Sequence, residues 1–147
     1  MLDAEGINVN AANSDGDTPL HAAVINVSND VVPLLLDAEG INVNATDDNG
    51  STPLHDAVSF GHIDAVQLLL KAGGINVNAS DKKGDTPLHR AVTFQHPEVV
   101  RVLADIDGIN INAANEHGDT PLHHSTRTEY ADVATVLLEA EGVSVNA

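Results

Sequence analysis

Apolar residues recur along the chain in short bursts at a fixed interval. One burst opens with Leu54, Ala57 and Val58, spaced i, i+3 and i+4, a single helical stripe. Thr52-Pro53 stands just before it. Threonine is a good N-cap, and proline at the first helical position gives up only an N–H that would have no partner there anyway. Phe60-Gly61-His62 interrupts the stripe, and a second helix is predicted from about Ile63, with Val66, Leu69 and Leu70 inward and Gly73-Gly74 as its stop. Ile75-Asn76-Val77-Asn78-Ala79 is too short for a helix and alternates apolar with polar, which predicts an extended segment. Asp81-Lys82-Lys83-Gly84 then predicts a turn with positive φ at the glycine. The unit is helix, turn, helix, hairpin.

The same order returns every 34 residues. Thr-Pro-Leu-His occurs four times: Thr18, Pro19, Leu20, His21; Thr52, Pro53, Leu54, His55; Thr86, Pro87, Leu88, His89; and Thr120, Pro121, Leu122, His123. Gly16, Gly50, Gly84 and Gly118 precede these blocks, and Gly6, Gly40, Gly74, Gly108 and Gly142 form a second ladder at the same period. Residues 2–11 repeat residues 36–45 letter for letter. The expected organisation is one domain, residues 1–147, with a tail of a preceding unit at 1–11 and repeats at about 12–45, 46–79, 80–113 and 114–147. Two helices of this length cannot bury a core alone, but stacked neighbours can, so the fold predicted is a solenoid.

Asp47-Asp48-Asn49-Gly50-Ser51-Thr52-Pro53-Leu54-His55, continued through Ala57, Gly61-His62, Val66, Leu68-Leu69-Leu70 and Val77-Asn78-Ala79, resembles the ankyrin repeat. The resemblance runs over essentially the whole chain. It implies an all-α ankyrin solenoid of stacked helix-turn-helix units joined by β-hairpin-like loops. The period departs from the 33 usual in that family, and the added residue falls around Glu39-Gly40-Ile41-Asn42, which predicts a longer link from second helix to hairpin. The first repeat has Val27-Ser28 in place of Gly-His and carries Pro33 in its second helix, a cost in stability or a delay in the helix start. Neither end carries a dedicated capping repeat, so the chain reads as a piece of a longer array or as one whose ends stack on other copies.

Composition narrows the function. Six Lys+Arg stand against 22 Asp+Glu, a formal charge of −16. That argues against nucleic acid and against anionic membrane surfaces as partners. No cysteine is present, which excludes disulfides and thiol chemistry. Aromatic residues are scarce, namely Phe60, Phe94 and Tyr130, so the core must be aliphatic. No apolar run reaches the roughly 20 residues of a membrane span, and the first residues do not read as a secretory leader. The expected location is intracellular, cytoplasmic or nuclear.

The histidines invite a metal reading. His21, His55, His89 and His123 would lie one repeat apart, too far to share an ion, and each is expected to bond within its own helix start and hairpin. The hairpins fail the calcium-loop count, because Ala11 and Ala45 stand where the first ligand belongs. Carboxylates are spread by translation and are expected not to converge. No nucleophile or phosphate-loop motif is present. The expectation is no catalysis, no metal and no cofactor. The resemblance also implies hairpin asparagines of the kind an asparaginyl hydroxylase takes, with Leu36 and Leu70 eight residues before Asn44 and Asn78.

The resemblance places partner contacts on hairpin tips and on the first helices' concave face. Carried over, the tips are Ser14, Asp15 and Asp17; Asp48, Asn49 and Ser51; Lys82, Lys83 and Asp85; and Glu116, His117 and Asp119. The helix face offers Asp56, Ser59 and Phe60; Arg90, Thr93 and Phe94; and His124, Arg127 and Thr128. Phe60 and Phe94 would form an aromatic pair beside Arg90, acting as anchors or packing on the neighbouring repeat. The expected partner is another protein, with a basic surface to match the acidic field. The competing expectation is a structural or engineered array with no native partner, self-associating head to tail.

Overall fold

The computed structural model describes residues 6–127, 131–140 and 142–143. Among them are eight helices and no strand: α1 (Pro19–Ile25), α2 (Val31–Leu36), α3 (Pro53–Ser59), α4 (Ile63–Leu70), α5 (Pro87–Thr93), α6 (Pro97–Ala104), α7 (Pro121–Ser125) and α8 (Ala131–Glu139). The odd-numbered helices stack on one another in one layer and the even-numbered helices in a second. Leu54, Ala57 and Val58 of α3 and Ala65, Val66 and Leu69 of α4 are fully buried between them. Leu20, Val24, Leu88, Val92, Val100 and Leu103 continue the same aliphatic core through the array.

Each Thr-Pro-Leu-His block is a polar knot that closes its own helix, and the first three also tie the next repeat. The Thr52 amide donates to Nδ1 of His55 at 3.1 Å, so Nδ1 must be the unprotonated nitrogen. The Nε2–H is then free to donate across the junction to the carbonyl of Asp85 at 2.9 Å. His21 reaches the Ser51 carbonyl and His89 the Asp119 carbonyl in the same way. The expectation of bonds confined to one repeat is therefore corrected, because the second ring nitrogen belongs to the following hairpin. His62 and His96 tie backward instead, to the carbonyls of Val24 and Ser59.

The Ile-Asn-Val-Asn segments are turns rather than the extended stretches predicted. Ala45 donates to Asn42 and Ala79 to Asn76, closing a turn at each. The alternation has another cause: Val43 is buried while the asparagines form a ladder. Asn44 donates from Nδ2 to the Gly74 carbonyl at 2.8 Å and accepts from the Asn76 amide at 2.8 Å. Asn10 and Asn78 make the equivalent pair of bonds. The longer link holds a turn at Ala38–Ile41, with Gly40 at φ 78° and its carbonyl bonded by Asn10.

The first repeat departs from its neighbours as Pro33 requires. α2 starts at Val31, two residues later in register than α4 and α6, and keeps six residues against their eight. Pro33 then falls in the first turn, where its missing N–H has no helical partner to lose. Val27, at the register of Gly61, is held at φ 55°.

Candidate functional site

Hairpin tips and the odd-numbered helices together border a groove. Each hairpin is closed by its first residue: Asp47 Oδ1 accepts the amides of Asn49 and Ser51, both at 2.8 Å, and Asp81 Oδ1 accepts those of Lys83 and Asp85. Single backbone bonds then link each tip to the next, Asp48 to Asp15, Lys82 to Asn49 and Glu116 to Lys83. A cavity of about 370 Å³ opens between the second and third hairpins, with Asp56, Arg90, Thr93 and Phe94 on its helical side.

Most of the expected contact residues lie on this surface. Asp15, Asp48, Asn49, Lys82, Lys83, Glu116 and His117 are exposed tips, while Asp17, Asp85 and Asp119 are half-buried at the hairpin ends. Ser51 does not fit that expectation: only 2% of it is exposed, its carbonyl takes His21 and its Oγ takes Arg90. Arg90 is also not a free anchor. Its Nη2 lies 2.6 Å from Asp81 Oδ2 and 2.9 Å from Ser51 Oγ, and its Nη1 donates to Ser59 Oγ. Burial pushes the Asp81 carboxyl up, but the Arg90 bonds and the Lys83 and Asp85 amides outweigh it, and the net shift is downward.

Phe60 and Phe94 are each about half exposed, at 55% and 51%. They do not form the expected pair. Phe60 stacks on His62 with centroids 5.6 Å apart, while Phe94 borders the cavity. His124 packs edge-on against His89 and meets Thr93 Oγ1 at 2.9 Å. Arg127 reaches Asp119 at 2.7 Å. Thr128 lies outside the described residues.

One arrangement overturns the expectation that carboxylates do not converge. Asp17, Asp47 and Asp56 each bring an oxygen within 4.8 Å of the other two. Burial is the larger cause that pushes the Asp56 carboxyl up to about 7, with the charges of Asp47 and Asp17 adding to it and Arg90 opposing. Register would have found the cluster. At the α1, α3, α5 and α7 position the repeats carry Ala22, Asp56, Arg90 and His124, and only the second sets an acid over two other acids.

The paired helices, the capped Thr-Pro-Leu-His starts and the hairpin turns recur through the described chain, and the sequence pattern of ankyrin repeats, in three copies, matches residues 1–81 and again 74–147. The chain belongs to the ankyrin-repeat family. Ankyrin repeats generally mediate protein–protein interaction, and as a family they are non-enzymatic binding modules. No curated protein matches this ankyrin chain. No helix among its described residues is long and apolar enough to cross a membrane.

Proposed function

We propose that this ankyrin array is a non-catalytic module that binds a partner protein through its concave groove and hairpin tips. One observation carries the reading. Buried framework residues repeat from unit to unit, whereas the exposed residues around the groove differ: Asp48-Asn49 against Lys82-Lys83 and Glu116-His117 at the tips. Packing does not dictate those positions, so they are available for recognition. The half-exposed Phe60 and Phe94 supply aromatic area of the kind that anchors interfaces. The acidic balance favours a partner with a basic surface and a salt-sensitive encounter.

The test is affinity capture from lysate at low and raised salt, with the chain and its Phe60→Ala/Phe94→Ala variant as baits. A band lost in the variant, with its helical circular dichroism intact, is the expected result. Identical bands from both baits would overturn groove binding.

A second reading, a self-associating array, draws on the apolar end of the first repeat. Val27, Val31 and Leu34 are 49%, 42% and 59% exposed, although Ala65, in register with Val31, is fully buried. Leu138 on α8 is 54% exposed at the other end of the stack. Contacts between two different ends are heterologous and grow open chains. Sedimentation that gives a monomer mass at every concentration would dismiss this reading.

A further inference from the structure

We infer that the node formed by Asp17, Asp47 and Asp56 receives the guanidinium of an arginine carried by the partner protein. The inference rests on the groove reading above and names the chemistry of one contact in it.

The array contains its own precedent. Each junction between repeats is built from three register positions: a hairpin end of the preceding repeat, the first hairpin residue of the next, and a residue of the next repeat's first helix. At the second junction these are Ser51, Asp81 and Arg90, and the guanidinium bonds both of the others. At the third they are Asp85, Asn115 and His124, where Asn115 Nδ2 donates to Asp85 Oδ1 at 2.9 Å and lies 3.2 Å from His124 Nε2. At the first junction the same positions hold Asp17, Asp47 and Asp56, three acids with no base among them.

The acceptors there are open. Asp47 Oδ1 is taken by the hairpin amides, just as Asp81 Oδ1 is. Asp81 Oδ2 spends its capacity on Arg90. Asp47 Oδ2 takes no hydrogen bond among the described residues, and the Oδ2 of the buried Asp56 side chain is enclosed without a hydrogen-bond partner. Such an atom is costly to leave unmade. Oxygens no more than 4.8 Å apart enclose a point at most about 2.8 Å from each, the length of a charge-assisted N–H···O bond. The neighbouring cation, Arg90, is already committed to Asp81, Ser51 and Ser59. The cavity of about 370 Å³ bordered by Asp47 and Asp56 leaves room for an incoming side chain, and Phe94 stands at its wall. A planar fork suits three acceptors at separate angles better than a point charge does.

The full chain can be titrated with N-acetyl-arginine amide at constant ionic strength, following the aspartate carboxyl carbons by NMR. Saturable shifts at Asp17, Asp47 and Asp56 are expected, with affinity weakened about tenfold or more in Asp56→Asn and in Asp47→Asn. N-acetyl-lysine amide should bind more weakly. The inference is overturned by no saturable shift up to about 100 mM, by equal binding in Asp56→Asn, or by calcium chloride saturating the node at lower concentration than the arginine amide. Backbone amide shifts away from the node report that each variant is folded. No partner is present in this experiment. A silent node beside a captured band that depends on Phe60 and Phe94 would sink only the arginine contact. Arginine shifts beside capture indifferent to both rings would sink only the groove reading.

Discussion

Asp56→Asn should stabilise the protein, and only at neutral pH. In the folded chain the Asp56 carboxyl holds its proton up to about 7, against 3.8 for the free group. Between those values the folded state binds more protons than the unfolded chain. The stability involved is therefore fully present below about pH 3.8 and is lost as pH rises towards 7. A shift of roughly three units sets a ceiling of about 4 kcal/mol. Partial exposure and salt reduce this, leaving on the order of 2 kcal/mol. Asparagine is nearly isosteric with the protonated acid and brings an N–H₂ donor to Asp47 and Asp17, so it removes the penalty without opening a void. The variant should match the parent at about pH 3.5 and gain about 4–8 °C in thermal midpoint at about pH 7.5. The groups facing Asp56 are Asp47, Asp17 and Arg90, and all three remain in both proteins. Histidine titration elsewhere is common to both and cancels in the difference. Thermal unfolding followed by circular dichroism at the two pH values suffices. A gain of equal size at both, or a loss at neutral pH, would refute the reasoning.

Four further outcomes follow. His55→Ala should cost about 3 kcal/mol in urea unfolding, since it strips a partner from the Thr52 amide and from the Asp85 carbonyl. Desolvation is the main cause that lowers the His55 and His89 pKa values, so their stability is present above the free value of 6.5 and lost as pH falls below it. The Asp56→Asn background, free of the opposing trend, should show a thermal midpoint that declines from pH 7 towards acid. Gly50→Ala should lose at least twice what Gly118→Ala loses in thermal stability. Both glycines have positive φ, at a cost of about 1–2 kcal/mol for alanine, but only at Gly50 would the new Cβ press a neighbouring backbone, 2.9 Å from the Lys82 nitrogen. Val27→Gly should gain about 1 kcal/mol, because a β-branched residue is strained at φ 55°, and a midpoint unchanged or lowered would contradict this.

The helices were legible because their signals are local. Thr52-Pro53 caps a helix whose apolar stripe lies within the next six residues, and the structure places α3 there. The asparagine ladder was not legible on the same terms. Asn42 and Asn44 read as an alternating strand when taken alone, and only the neighbouring repeat explains the amide at Asn44, whose Nδ2 donates to the Gly74 carbonyl 30 residues on and whose Oδ1 accepts the Asn76 amide 32 residues on. The histidine ties show the same limit, since the Nε2 partner of His55 stands 30 residues away.

The acid node is the sharpest case. Read along the chain, Asp17, Asp47 and Asp56 are two turn residues and one helix residue with nothing in common. Read down the repeat register, they occupy the same three positions as Ser51, Asp81 and Arg90, and the carboxylate cluster of one junction becomes the ion pair of the next. A translational stack turns column identity into spatial contact, because each residue meets its own register equivalents' neighbours at every junction. Framework columns stay constant because packing reads them at each step. The column Ala22, Asp56, Arg90, His124 faces the groove, where burial imposes no single side chain, and its charge is free to change sign from repeat to repeat. The columns that packing leaves undetermined are therefore where neighbouring repeats differ in charge, and at Asp56, where this column turns acidic, Oδ2 is buried without a hydrogen-bond partner among the described residues.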